Sequence, residues 1–226
     1  MSLHIYNDLE QGSEEWLAAR RGIVTASVVG QLITARTIKP ADNDISRALT
    51  TLLVAERITG WSDPVFVNND MLRGTLDEPI ARDLYSEQHA KAVEVGFMVR
   101  DDRGFPIGYS PDGLVGDDGL IEIKSRRQKK HLTTILTDTV PAENMAQIQA
   151  GLLVSGRDWC DYVSYCGGMP LWVIRVHPDE RWHAAIVAAV QQFETTAAEM
   201  VADYHARTAG RPATERIDYS YLDGVI

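Results

Sequence analysis

Hydrophobic positions along the chain follow two periods, which divide it into predicted helices and strands. A period of 3.6 residues indicates a helix and a period of two indicates a strand. The helical pattern covers residues 14–20, 26–34, 45–59, 76–88, 131–136, 141–155 and 180–206. Alternation and short apolar runs cover residues 65–67, 93–99, 107–109, 120–124, 161–166 and 171–177. The order of these elements predicts a single α/β domain over residues 1–226.

The start of the helix at 76–88 depends on a local signal. Thr75 and Glu78 have the spacing of a capping box, and Pro79 would then lie in the first turn, where proline is tolerated. We expect the buried stripe of this helix to contain Ile80, Leu84 and Tyr85. On this interpretation Glu78 has a structural role.

The hairpin at residues 107–125 carries the strongest chemical signal. Its Asp-Asp-Gly turn at 117–119 joins two short strands. Because side chains alternate along a strand, Ile121 and Ile123 can face a core while Glu122 and Lys124 face the opposite side. Asp112, near the end of the neighbouring strand, can turn its carboxylate to the same place. Two carboxylates and an ammonium suit a hard divalent cation and a phosphate. An ordinary turn beside a solvated ion pair is the alternative.

A second group of residues suggests an anion site near the N-terminus. Ser13 is placed to cap the first helix and Thr25 the second. Arg20 and Arg21 end the first helix, so two guanidinium groups would lie beside a helix start. The alternative is that both arginines are surface charges that complement the helix C-terminus.

Charge is distributed unevenly. The chain has 32 acidic and 22 basic residues and a formal net charge of −10, whereas DNA-binding proteins usually carry a basic surface. A basic cluster is formed by Lys124, Arg126, Arg127, Lys129 and Lys130 and is followed by His131. This cluster would line a channel or form a solvated loop.

Composition excludes several classes of protein. No run of 18 apolar residues and no basic-then-apolar N-terminal segment occurs, so we expect no membrane span and no secretory signal. The only two cysteines, Cys160 and Cys166, lie in or beside an apolar strand. We expect buried free thiols and a cytoplasmic protein, and two cysteines alone cannot ligate an iron–sulfur cluster.

The hairpin resembles the PD-(D/E)xK nuclease signature, and the segments 110–113 and 120–124 are similar to those of the lambda-type phage exonucleases, the viral recombinase nucleases. A second element of that family matches Gln11, Trp16, Arg20, Gly22, Ile23, Val24, Thr25, Ala26 and Ser27. The resemblance implies a restriction-endonuclease-like core, with a central mixed sheet flanked by helices. The matched segments extend from Gln11 to Gln149.

The resemblance also implies roles for individual residues. Asp112, Glu122 and the main-chain carbonyl of Ile123 would bind the metal, and Lys124 would orient or deprotonate the attacking water. Arg20, Ser27 and Ser110 would bind a 5′-terminal phosphate. Glu78 and Gln147 would face the site and Met71 would be an apolar wedge against the DNA end. Alternatively, Met71 is a core residue, and Gln147 and Gln149 are surface residues.

The resemblance further implies a 5′-to-3′ exonuclease on double-stranded DNA ends that prepares 3′ overhangs for phage-type recombination. It implies two Mg²⁺ ions, with Mn²⁺ as a substitute, a homotrimeric ring and a single-strand annealing protein as partner. Three alternatives stay open: an endonuclease, an inactive DNA-end-binding module, and an interaction protein. The apolar tail at Tyr219, Tyr221, Leu222, Val225 and Ile226 would dock on a neighbouring subunit.

Overall fold

Two β-sheets meet at the segment that carries the predicted site, and helices pack against both. A computed structural model describes residues 2–64 and 67–217. The strands are β1 (Leu3–Tyr6), β2 (Val24–Thr25), β3 (Ile33–Thr34), β4 (Lys39–Pro40), β5 (Ala92–Val93), β6 (Phe97–Arg100), β7 (Ile107–Tyr109), β8 (Gly113–Val115), β9 (Gly119–Ser125), β10 (Trp159–Tyr165) and β11 (Trp172–Val176). The helices are α1 (Glu14–Arg20), α2 (Ala26–Val29), α3 (Asp44–Thr59), α4 (Asn69–Gln88), α5 (Gln128–Thr137), α6 (Ala142–Ser155) and α7 (Glu180–Thr208).

The larger sheet is mixed and contains the predicted hairpin. Its strand order is β11-β10-β9-β8-β5. Strands β9 and β10 are parallel, and the other neighbours are antiparallel. The second sheet has the order β1-β6-β7-β2, with β2 and β7 parallel. This arrangement confirms the predicted α/β fold with a mixed sheet and flanking helices.

The two faces of β9 contribute to different parts of the interior. Ile121 and Ile123 pack with Tyr85 of α4 in a small core, as the alternation predicts. Leu120 points the other way, into the main core formed with α6 and α7. Glu122 and Lys124 share the Leu120 side of the strand, so the polar pair lies at the edge of the main core.

Helices α3, α6 and α7 agree closely with the hydrophobic pattern. Helices α3 and α6 end at Gly60 and Gly156, both in the left-handed conformation that glycine adopts without strain. The side chain of Asp179 caps α7 by accepting the N–H of Arg181. Gln149 is only 1% exposed, accepts the Asp179 N–H and donates to the His177 carbonyl, so the alternative of a surface residue is wrong for this glutamine.

Several predicted boundaries are wrong. The region predicted as one strand at 93–99 contains two strands, β5 and β6, which belong to different sheets. Gly96 allows the crossing, because a Cβ there would lie 2.5 Å from the Tyr6 carbonyl oxygen. The predicted helix at 26–34 ends at Val29 and continues as a 3-10 turn, Gly30–Leu32, before β3. Helix α5 begins at Gln128, three residues before the predicted start, and takes in part of the basic cluster.

The capping-box prediction for α4 is also wrong. The helix begins seven residues earlier, because Asn68 accepts the N–H groups of Asp70 and Met71. Thr75 therefore lies inside the helix, where its hydroxyl bonds the Met71 carbonyl. Pro79 is an internal proline.

The buried side of α4 is formed by Ala81 and Tyr85, Leu84 is half-buried, and Ile80 is 49% exposed. Among the described residues, no helix has the length and apolar character needed to cross a membrane. The extended piece predicted at 65–67 and the docking tail fall wholly or mainly outside the described residues. The assignment of residues 1–226 to one domain stays a prediction.

Candidate active site

The carboxylates and the lysine of the hairpin meet beside β9. Glu122 is fully buried, and the Lys124 ammonium donates to its Oε1 atom at 2.6 Å. Asp112 lies just before β8, and its Oδ2 atom accepts the main-chain N–H of Ile123 at 2.6 Å. The hairpin therefore holds the three side chains that the sequence placed together.

The electrostatics of this group show an excess of buried negative charge. Burial raises the pKa of Asp112 well above its usual range, and the nearby charge of Glu122 raises it further, against the influence of Lys124. Burial lowers the pKa of Lys124, but Glu122 and Asp112 outweigh this effect and the pKa is raised. One ammonium between two carboxylates does not balance them.

This charge excess fits a divalent cation. The Glu122 Oε2 atom is buried and has no partner at hydrogen-bonding geometry among the described residues. The buried Tyr109 hydroxyl is close enough for Glu122 to raise its pKa, although burial is the larger cause. An unpaired carboxylate oxygen is what a hard cation would coordinate. No group of three His, Cys, Asp or Glu side chains in the described ranges could hold a metal ion. A cation here would therefore need main-chain oxygen and water as further ligands.

Helix α4 adds Glu78 and Arg82 to the site. Arg82 donates to Glu78 at 2.5 Å, to the main-chain carbonyl of Asp112 at 2.6 Å and to Glu94 at 2.7 Å. Burial raises the pKa of Glu78, Arg82 opposes this effect, and Glu94 and Glu122 add to it. Glu78 thus faces the acidic group that contains Glu122, and Arg82 ties α4 to the residue that precedes β8.

The residues of the predicted anion site lie together around Arg20. Its guanidinium lies 3.3 Å from the Ser27 hydroxyl and 3.5 Å from that of Thr25. Burial lowers the pKa of Arg20 to about 10, and the Glu56 carboxylate acts in the opposite sense. Arg21 turns away to pair with Glu14 at 3.1 Å, so only one of the two arginines takes part.

Trp16 connects the parts of this anion site. Its indole N–H donates to the Ser110 hydroxyl at 2.9 Å. The Arg20 guanidinium carbon lies 3.8 Å from the centre of the same ring, a cation–π contact. Trp16 matches the family motif, but nothing in its spacing predicts a contact with a residue 94 positions away.

One cavity of about 370 Å³ joins the anion site to the carboxylates. The predicted residues in its wall are Arg20, Ser27, Met71, Glu78, Ser110, Asp112, Ile123, Lys124 and Gln147. Glu122 lies behind this wall, fully buried and bonded to Lys124. Met71 is 45% exposed, so the alternative of a core methionine is wrong.

The basic cluster is partly structural. His131 is fully buried and its ring nitrogens contact the Ser164 hydroxyl and the Pro170 carbonyl, at 2.8 and 2.9 Å. Arg126 donates to the Tyr162 hydroxyl and to Asn144. Arg127, Lys129 and Lys130 stay exposed. The buried position of His131 and the place of Arg82 in the site were not predictable from spacing, because their partners Ser164 and Asp112 lie 33 and 30 positions away.

Comparisons with known proteins agree with this geometry. The YqaJ-like viral recombinase domain matches residues 15–158, which include both the anion site and the carboxylates. The chain belongs to this family. An alkaline exonuclease of Laribacter hongkongensis, LHK-Exo, is 34% identical, with a TM-score of 0.77 over 89% of this chain and all of the other.

Other structures extend the comparison of this recombinase-family chain. LHK-Exo in complex with dAMP gives a TM-score of 0.78 at 34% identity, over 87% of this chain and 98% of the other. A phage-related exonuclease from Haemophilus somnus 129PT shares the fold at 13% identity, with a TM-score of 0.65 over 80% of this chain and 96% of the other. Among curated proteins, none is significantly similar.

Proposed function

We propose that this recombinase-family nuclease is a divalent-metal-dependent exonuclease that degrades one strand of linear double-stranded DNA. It would start at a 5′-phosphorylated end and leave a 3′ single-stranded overhang for phage-type recombination. The observation that carries the proposal is the single cavity that contains an anion site at Arg20 and the carboxylate–lysine group at Asp112 and Lys124. A terminal phosphate and a neighbouring phosphodiester could occupy the two parts together.

The fit of the acidic group to a cation supports the metal dependence. Bound Mg²⁺, or Mn²⁺ as a substitute, would supply an acidified water and neutralise charge on the leaving oxygen; we expect two ions. Asp112, Glu122 and the Ile123 carbonyl would hold the metal. Lys124, fixed by its bond to Glu122, would orient the attacking water and stabilise the developing charge.

The remaining residues would position the substrate. Arg20, Ser27 and Ser110 would bind the terminal phosphate, because a guanidinium and hydroxyl groups are suitable donors to phosphate oxygens. Met71 would press against the last base pair. Glu78 and Gln147 would orient water or a phosphate oxygen from α4 and α6. The complex of LHK-Exo with dAMP supports a mononucleotide product, because dAMP is a nucleoside monophosphate.

Family resemblance alone supports two further parts of the proposal. These are a homotrimeric ring around the DNA and a single-strand annealing protein as partner. We also propose a cytoplasmic location. Cys160 and Cys166 are buried and free, which is consistent with a reducing compartment. Light scattering after size-exclusion chromatography would test the ring directly.

The decisive experiment uses a linear duplex labelled at either end of one strand. With Mg²⁺ we expect immediate release of the 5′ label as a mononucleotide, and a 3′ label on progressively shorter fragments. A 5′-hydroxyl end should react more slowly than a 5′-phosphate, and EDTA should stop the reaction. Early release of the 3′ label would contradict the polarity, and nicking of a closed circle would favour the endonuclease.

Lys124→Ala separates the proposed chemistry from a merely structural hairpin. We expect this variant to retain the fold and lose at least about a hundredfold in rate, since it removes a group that acts on the reacting atoms. Lys91→Ala, at an exposed position outside the cavity, is the matched control and should keep the wild-type rate. Full activity of Lys124→Ala would contradict the mechanism.

A further inference from the structure

A second, strongly basic groove lies beside the candidate active site. It has a volume of about 710 Å³ and shares Asp70, Met71 and Ser125 with the wall of the active-site cavity. The basic residues of this groove are Arg73, Arg126, Arg127, Lys129 and Lys130. The basic groove and the active-site cavity are therefore adjacent, and Met71 belongs to the wall of both.

The charge of the groove is opposite to that of the molecule as a whole. The chain has a net charge of −10, yet five cations and a single acid, Asp70, line this groove among the described residues. A basic surface kept on an acidic protein is suited to a polyanion. No aromatic side chain lines the groove in the described part of the chain, so it lacks a platform on which bases could stack. The groove is therefore better suited to binding DNA phosphates than to binding bases.

Asp70 pairs with two of the arginines of the groove. Its Oδ1 atom accepts Arg73 Nη1 at 2.7 Å and Arg127 Nη2 at 2.8 Å, and so joins α4 to the start of α5. Arg73 also donates to the Ser125 hydroxyl at 3.0 Å, at the end of β9. One carboxylate oxygen thus holds two guanidinium groups that face the groove.

The walls of the groove are held in place from behind. The buried His131 fixes α5 through the Ser164 hydroxyl and the Pro170 carbonyl. Arg126 is fixed by Tyr162 from β10. Arg127 and Asp70 are in contrast 73% and 52% exposed, so their ion pair can open without disturbing the core. An exposed pair of this kind is weak, and a phosphate can replace the carboxylate.

We propose that the basic groove binds the phosphates of the complementary, non-hydrolysed strand, with Asp70 as an electrostatic gate that holds Arg73 and Arg127 until a phosphate replaces it. The proposal rests on the proposed function, in which Met71 would press against the last base pair; we infer that this contact separates the two strands at the DNA end. Separation at Met71 directs the hydrolysed strand into the active-site cavity and leaves the basic groove for its complement. Because Asp70 competes with the phosphates for both guanidinium groups, it lowers the affinity of the groove for DNA. The strand can therefore slide along the groove and dissociate from it.

Asp70→Asn tests the gate by a binding measurement in EDTA, where no hydrolysis occurs. The probe is a 5′-hydroxyl dT20 oligonucleotide with a fluorophore at its 3′ end, followed by anisotropy. We expect binding about three- to tenfold tighter than wild type at low salt, with a smaller difference as salt rises. Arg127→Ala should bind about three- to tenfold more weakly. Asp203→Asn, which removes an acid from the exposed Arg207 pair on α7, should match wild type. Unchanged or weaker binding by Asp70→Asn would overturn the gate.

Cross-linking identifies the strand that occupies the groove. Thr133→Cys places a reactive thiol in the groove wall, and both native cysteines are buried. The thiol is first coupled to a thiol-reactive aryl azide, which cross-links to nearby DNA on illumination. The probe is a 5′-phosphorylated duplex in EDTA, with a label on one strand or on the other. Cross-links to the complementary strand near its 3′ end support the proposal. Cross-links to the 5′-phosphorylated strand, or to neither strand, overturn it.

These results are independent of the nuclease assay. If the chain binds the complementary strand but does not hydrolyse DNA with Mg²⁺, the proposed function fails and the groove assignment stands. If it degrades DNA from 5′ ends but Thr133→Cys does not cross-link the complementary strand, only the groove assignment fails. Far-UV circular dichroism of each variant confirms that the comparison is made between folded proteins.

Discussion

The indole of Trp16 contacts Ser110 and Arg20 at the same time. Its N–H donates to the Ser110 hydroxyl at 2.9 Å, and its ring lies 3.8 Å from the Arg20 guanidinium carbon. Trp16 is 8% exposed and belongs to α1, whereas Ser110 lies between β7 and β8. A single buried side chain therefore sets the distance between the two donors of the proposed phosphate site.

We expect Trp16→Phe to weaken the recognition of a 5′-phosphate. The substitution keeps an aromatic ring beneath Arg20 but removes the donor that orients Ser110. The preference for 5′-phosphate over 5′-hydroxyl duplex should fall about three- to tenfold, because a hydrogen bond of this kind contributes roughly 1 kcal/mol. The measurement is the ratio of initial rates on the two substrates. Trp172→Phe is the control, because it removes the indole donor that bonds Asp138 at the end of α5. Trp172 does not line the active-site cavity, so this substitution should leave the ratio unchanged.

Metal binding should stabilise the protein through its acidic group. At tenfold excess over its Kd, a metal that binds only the folded state adds about 1.4 kcal/mol. We expect Mg²⁺ or Mn²⁺ to raise the Tm of wild type but not of Asp112→Asn. In EDTA the Asp112→Asn variant should melt above wild type, because it removes one of two neighbouring buried carboxylates.

The control for the metal response is Asp117→Asn in the exposed turn of the same hairpin. It changes the net charge by the same amount as Asp112→Asn and should keep the full shift in Tm. An equal shift in wild type and Asp112→Asn would place the metal elsewhere. Differential scanning fluorimetry with and without EDTA provides all of these comparisons.

Arg82→Lys should reduce the rate of hydrolysis although it conserves the charge. Arg82 contacts Glu78, Glu94 and the Asp112 carbonyl with three different nitrogens, and a single ammonium cannot reproduce that arrangement. We expect a loss of about ten- to a hundredfold in kcat, the size usual for residues that orient ligands of a metal site.

Glu94→Gln tests whether loss of the exposed ion pair between Arg82 and Glu94 is by itself enough to lower kcat. Glu94 is 68% exposed and pairs with the outer nitrogen of Arg82, so its substitution should leave kcat within about twofold. Wild-type activity of Arg82→Lys would show that Asp112 and Glu78 keep their places without the guanidinium.

Tyr85→Phe should destabilise the small core between α4 and β10. Asp161 is 3% exposed and accepts the Tyr85 hydroxyl at 2.7 Å, together with two nitrogens of Arg175 at 2.8 and 2.9 Å. Loss of the hydroxyl leaves a buried carboxylate with one donor fewer, which costs about 1–2 kcal/mol of unfolding free energy. Urea denaturation measures this cost. The exposed Tyr204→Phe should show no change, and an equal midpoint for both variants would contradict the prediction.

Local patterns predicted the parts of the site that depend on short segments. The opposite orientation of Glu122 and Ile123 follows from alternation along one strand, and the hairpin follows from the turn at 117–119. The N-terminal cap at Ser13 follows from residue chemistry within one helical turn. These features are correct because the interactions that determine them lie within a few residues.

Contacts between distant segments were not predictable in the same way. The spacing of Thr75 and Glu78 predicted a start of α4 at that point, whereas the folded structure shows that Asn68 caps the helix and Thr75 lies inside it. His131 looks like a surface residue in a basic run, yet its partners Ser164 and Pro170 lie 33 and 39 positions away and bury it. A single sequence contains no spacing rule that links such residues.

The crossing between the two sheets has a consequence for the product. Ser110 follows β7 in one sheet and Asp112 precedes β8 in the other. Only two peptide units, spanning at most about 7 Å, therefore connect the hydroxyl proposed to bind the terminal phosphate with the proposed metal ligand. This short covalent connection fixes the distance between the site for the 5′-terminal phosphate and the site for the scissile phosphodiester. The distance is therefore the same whichever base the terminal nucleotide carries. We therefore expect mononucleotide products whatever the base composition of the DNA.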